Sequence, residues 1–126
     1  MRTAALYAGL LGLMLIVLSM RVSLARRDAN VMIGDGGNEV LRRWIRAHGN
    51  FVEFVPFALL LLALSEHLNL GALFIHLLGL LLLVSRVAHA YAAVQTEGVF
   101  AARAFGAMGT LTVIGITSLY CIIAFL

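Results

Sequence analysis

Apolar residues in this chain gather into long charge-free runs, Thr3 to Met20, Phe57 to Leu64 and Ala104 to Leu126, with one more from Ala72 to Ser85 broken only by His76. A helix that crosses a bilayer needs about 20 residues. The run after Ala72 must therefore continue through Arg86 and His89, and the helix holding Phe57 must begin near Val40, upstream of its own apolar stretch. The pattern predicts four spanning helices, at roughly residues 3–25, 39–65, 71–94 and 100–126, in a single domain over 1–126. The outer two are plain, whereas the inner two carry polar groups at the same kind of end.

Composition agrees with this class. Of 126 residues, 63% are hydrophobic and the mean hydropathy is +1.04, against an apolar share of ~45–50% in soluble domains. The chain reads as an all-α integral membrane protein, a bundle of four transmembrane helices. The connections are short. Asp28 to Glu39, with Gly34-Asp-Gly-Gly37 in its middle, is the longest; Ser65 to Gly71 makes a tight turn with Asn69 and Gly71 as breakers, and Gln95 to Val99 makes the last.

The net charge of +3 comes from nine arginines and no lysine. Arg21, Arg26, Arg27, Arg42, Arg43 and Arg46 flank the first connection and Arg86 and Arg103 the third, while the other side has only Arg2. The positive-inside rule then places those connections in the cytoplasm and both termini on the periplasmic side of an inner membrane. These arginines serve as topology determinants, and no nucleic-acid partner is expected. The first segment also has features of a secretory signal, with Arg2 as n-region and Ser23-Leu24-Ala25 as a cleavage-like site. Its apolar run is long and Arg21 precedes that site, so it is read as a mature helix.

Several chemistries find no support. A single cysteine, Cys121, makes neither an internal disulfide nor a cysteine metal cluster and reads as a packing residue. The four histidines and six acids never take His-x-x-x-His or Glu-x-x-His spacing, so no metal is expected. Gly-x-Ser-x-Gly is absent, and the glycines of the first loop lack the strand and Lys-Ser/Thr of a phosphate cradle. His76 reads as an inter-helix hydrogen-bonding group and His67 as solvated.

The informative stretch is Arg46-Ala-His-Gly-Asn50-Phe-Val-Glu53-Phe-Val-Pro56. Ionisable groups inside a spanning helix cost roughly 2.5–3.5 kcal/mol each near its centre and persist where they line a site. Positions 46, 50 and 53 are four and three apart and share a helix face. Arg86 and His89, also three apart, lie at the same membrane side, as does Arg103. Pro56 removes a hydrogen bond to the Val52 carbonyl and predicts a kink beside Glu53. Arg46, Asn50, Glu53, Arg86, His89 and Arg103 can thus form one cluster. It reads either as a site or as an ion-pair network, such as Glu53 with Arg86, that joins helices. Four cations against one acid favour an anionic guest: a small acid with two carboxylates and an amine, or an anionic lipid head group.

The motif Arg46-x-x-x-Asn50-x-x-Glu53-Phe54-x-Pro56, with Arg86-Val-Ala-His89 and Arg103, resembles the membrane-associated proteins in eicosanoid and glutathione metabolism, the MAPEG family, over nearly the whole chain. That family includes the microsomal glutathione transferases and microsomal prostaglandin E synthase. The resemblance implies a homotrimer with glutathione bent between neighbouring subunits near the cytoplasmic side. It further implies that Asn50 and Glu53 hold polar groups of glutathione, that Arg46 and the first-helix Arg21 engage its carboxylates or brace the site, that His89 contacts ligand, and that Arg103 faces the sulfur. Gly49 replaces a cation of the prostaglandin synthase, Ala104 a hydroxyl and Ala93 a tyrosine. The implied activity is a glutathione transferase or peroxidase that presents the thiolate to lipophilic electrophiles or lipid hydroperoxides from the bilayer. The alternative is a non-catalytic scaffold on the same fold that binds lipid or another anionic ligand.

Overall fold

The structure, a computed structural model, describes residues 1–95 and 99–126. Four α-helices follow one another: α1 Arg2–Ala29, α2 Glu39–His67, α3 Ala72–Val94 and α4 Phe100–Ile123. All four are long and apolar enough to cross a membrane. The turn expected at 95–99 falls largely on residues 96–98, outside the described residues.

Local chemistry sets the helix ends. α1 runs four residues past the expected 25, through Arg26 and Arg27, because both basic residues favour a helix C-terminus. It stops where Asn30 adopts a left-handed conformation, φ 55°, and the carbonyls of Arg26 and Arg27 accept the amides of the cap. At the start of α2 the Asn38 side chain accepts from the Leu41 amide at 2.9 Å, and Glu39 adds a carboxylate to the first turn. α2 stays a single helix through Pro56.

Cross-helix contacts fix an up-down-up-down order. At one end, the Glu66 carboxylate late in α2 accepts the α1 amides of Thr3 and Ala4 at 3.0 and 2.8 Å. There too, Tyr7 of α1 donates to the His76 carbonyl early in α3 at 3.0 Å, and Tyr120 late in α4 donates to the Leu68 carbonyl at 2.8 Å. At the opposite end Ser19 of α1 meets His48 of α2 at 3.1 Å. The core between them is aliphatic and aromatic: Leu11, Phe51, Val55, Leu62, Ile75, Leu82 and Val113 are all buried. Large apolar residues such as Leu13, Leu60, Leu77 and Leu119 stay exposed on the outside, where lipid rather than water would meet them.

α3 and α4 approach most closely, through small residues. A Cβ added at Gly106 would lie 2.6 Å from the Ser85 carbonyl oxygen, and one at Gly109 would overlap Ser85 Oγ. This small-residue seam is how membrane helices gain packing without a hydrophobic driving force. It also brings α4 onto the polar part of α3.

Candidate functional site

Arg86 is the centre of the polar end of the bundle. It is only 1% exposed. Its Nη2 donates to Asn50 Oδ1 of α2 at 2.7 Å, and its Nη1 reaches Thr110 Oγ1 of α4 at 3.4 Å. His89 Nδ1, one turn further along α3, lies 3.5 Å from Nη2. The guanidinium also stands over the Phe51 ring, 5.8 Å from its centroid, a contact worth about 0.5–2 kcal/mol. Removing such a cation from water costs of order several kcal/mol, and neutral oxygens return only part of it. Nε has no hydrogen-bond partner among the described residues.

The Gly106 seam positions Thr110. Its hydroxyl donates to the Gly106 carbonyl at 2.8 Å, so its oxygen lone pair is free to accept from Arg86. The sequence reading missed Thr110 and Phe51. Only the helical spacing of Gly106, Gly109 and Thr110 hinted at a face packed against α3.

The expected cluster is divided. Buried Arg86 and His89 come together with half-buried Asn50. Arg46 and Arg103 line a separate cavity of ≈ 360 Å³, between the start of α2, the end of α3 and the start of α4. Glu39, Arg42, Arg43 and Phe100 share its wall. Glu39 holds Arg42 and Arg43 in ion pairs, the latter at 3.3 Å. The cavity therefore has four guanidiniums and one carboxylate, but of the cluster expected from sequence only Arg46 and Arg103 line it; Arg42 and Arg43 stand in place of Arg86 and His89, and the acid is Glu39 rather than Glu53. In the sequence Glu39 only closes the first loop, with no sign that it faces the start of α4.

Two expected residues stand apart. Glu53 is exposed on the outer face of α2, in no ion pair or side-chain hydrogen bond among the described residues. The Glu53–Arg86 pair does not form, because Arg86 is turned toward Asn50. Arg21 stacks over Trp44 at 5.6 Å and lines another cavity, ≈ 290 Å³, with Asp28 and Asn38. Neither lines the cavity of Arg46 and Arg103.

The arrangement is that of a four-spanning membrane protein with a buried arginine unit and an arginine-lined cavity at one end of its bundle. The MAPEG family model matches residues 4–123. Inner membrane protein YecN of Escherichia coli K12 is 39% identical over 88 residues, which cover 70% of this chain and 67% of that relative. The protein of the same name from Escherichia coli O6:H1 matches with the same figures. No solved structure matches the chain. The chain belongs to the MAPEG family.

Proposed function

We propose that the protein is a glutathione-dependent transferase or peroxidase of the bacterial inner membrane, acting as a homotrimer with its arginine-rich end in the cytoplasm and both termini in the periplasm. The observation that carries this reading is the cavity shared by Arg46 and Arg103, with four cations and one carboxylate around ≈ 360 Å³. That volume lies within the roughly 300–1,000 Å³ usual for small-ligand sites. Its charges complement glutathione, which carries two carboxylates, an ammonium and a thiol.

In this reading Arg46 engages a glutathione carboxylate and Arg103 faces the sulfur. Asn50 and His89 contact the ligand from the inner edge of the site, and Arg86 orients Asn50 through its 2.7 Å bond. Glu53 and Arg21, exposed on one protomer, are supplied across the subunit boundary. A thiol with a reference pKa of about 8.5 needs only ~1.36 kcal/mol of differential stabilisation per unit of depression, within reach of a desolvated guanidinium. The thiolate attacks an electrophilic carbon, a C–S bond forms, and the leaving group departs with its electron pair. With a lipid hydroperoxide it attacks the terminal oxygen and the O–O bond breaks. The alkoxide takes a proton, and a second glutathione reduces the sulfenic acid to disulfide and water.

A second reading, a scaffold that binds lipid or another anionic ligand without turnover, is favoured by Ala93 and Ala104, where the resemblance leads one to expect hydroxyl groups. Calorimetry on detergent-solubilised protein separates ligand from glue. Glutathione is expected to release heat at millimolar concentration, and Glu53→Gln to weaken it by about 1.5–3 kcal/mol, the range of a charge-assisted hydrogen bond, with thermal stability unchanged. Absence of heat from the wild type would remove glutathione from the proposal.

A further inference from the structure

Beside Asn50 lies a third, smaller cavity of ≈ 100 Å³, lined by Asn50 and Phe54 of α2, Arg86 of α3, and Ala107, Thr110 and Leu111 of α4. Arg86 and Thr110 are buried and form its floor, whereas Leu111 is exposed and marks its mouth between α2 and α4. The volume equals about three waters at ~30 Å³ each, too little for a tripeptide. Glutathione cannot occupy it whole.

The charge around Arg86 does not balance. Asn50, Thr110, His89 and Phe51 surround the guanidinium, and none is anionic. The ion pairs among the described residues involve Met1, Arg27, Arg42 and Arg43 with Glu66, Asp28, Asp35 and Glu39, never Arg86. A cation this deep in a spanning bundle is normally met by an opposite charge. Arg86 stands about 21 Å along α3 from Ala72 and about 12 Å from Val94, at ~1.5 Å per residue, so about two turns of helix separate it from the nearer end. Its Nε, without a partner among the described residues, keeps one donor in reserve. The geometry points to a monovalent anion-binding site in this cavity, where a halide or a single carboxylate group supplies the counter-charge of Arg86. Both sources share the chemistry: one negative charge, oxygen or halide acceptors for a guanidinium, and a volume near that of a few waters. The mouth favours neither, because Phe54 and Leu111 lead from the polar floor toward the apolar middle of the bundle, a path open to an acyl chain as well as to a bare ion.

The cavity shares Asn50 with the proposed glutathione site but is too small for the tripeptide, so the first arms of its test omit glutathione. The full-length protein in neutral detergent is exchanged among sodium chloride, bromide and gluconate at equal ionic strength, and its unfolding midpoint is measured. Chloride or bromide is expected to raise the midpoint by roughly 3–6 °C over gluconate if the occupant is a halide. If the occupant is a carboxylate, oleate in gluconate gives that rise and oleyl alcohol does not. Arg86→Met should abolish the response. Should that variant fail to fold, Ala107→Phe fills the cavity with Arg86 retained and should also abolish it. A midpoint indifferent to halide and equal in oleate and oleyl alcohol would overturn the inference, as would a full response in Ala107→Phe. A halide response that glutathione cancels by competition would assign the cavity to a glutathione carboxylate and overturn the separate site.

Discussion

Replacing Asn50 by leucine probes the buried arginine unit directly. The substitution keeps the volume of the side chain close and removes the acceptor at 2.7 Å from Arg86 Nη2. What remains for the guanidinium is Thr110 at 3.4 Å and His89 at 3.5 Å, both at the long limit of hydrogen bonding. A charge-assisted bond contributes about 1.5–3 kcal/mol, and its loss leaves the cation desolvated. For a domain near this length ~1 kcal/mol moves the midpoint by roughly 3–6 °C, so Asn50→Leu should lower it by about 5–15 °C. The companion Arg86→Met removes the charge that needed the acceptor, and the pair together replaces a polar contact by an apolar one. The double variant should therefore be more stable than the sum of the singles by ~1.5–3 kcal/mol. Denaturant titration in detergent micelles gives all four corners of the cycle. Additive losses, or a silent Asn50→Leu, would mean that the bond does not join α2 to α3.

Glu66→Ala removes the carboxylate that accepts the first amides of α1; it should cost about 0.5–2 kcal/mol, as loss of a helix cap does, and speed hydrogen exchange at Ala4 to Tyr7 while leaving α4 protected. Orientation is read by cysteine labelling in a Cys121→Ser background. A cysteine at Met32, 92% exposed in the α1–α2 loop, should be hidden from an impermeant thiol reagent outside the inner membrane, and one at His67 should react. Reversed labelling would move the arginine-rich end to the periplasm and away from cytoplasmic glutathione.

The helices were legible because a bilayer demands about 20 apolar residues per crossing, and charge-free runs announce that directly. Their ends were less so. α1 passes through Arg26 and Arg27 because basic residues suit a helix C-terminus, while hydropathy alone stops it earlier. Pro56 does not end the helix: α2 runs from Glu39 to His67 with the proline inside it. The grouping of Asn50, Arg86 and His89 followed from face and depth. Which acceptor Arg86 takes did not, because Asn50 and Glu53 are three apart on one helix, and the choice of Asn50 shows only in the packed bundle, where Thr110 of α4 takes the other guanidinium nitrogen. Glu66 at the start of α1 and Glu39 beside Arg103 were unreadable for a related reason. Glu66 meets the start of α1 from the far end of α2, and Glu39, paired with Arg42 and Arg43 on its own helix, shares a cavity wall with Arg103 of α4.

Glutathione added to the wild-type protein near neutral pH should raise absorbance in the ultraviolet band of thiolates. Arg103→Ala should abolish that rise while binding persists through Asn50 and Glu53, and Arg103→Lys should restore it in part, since an ammonium keeps the charge without the guanidinium fork. Glutathione bound as a plain thiol, with Arg103→Ala leaving any conjugation rate intact, would contradict thiolate activation and leave the non-catalytic binding reading in its place.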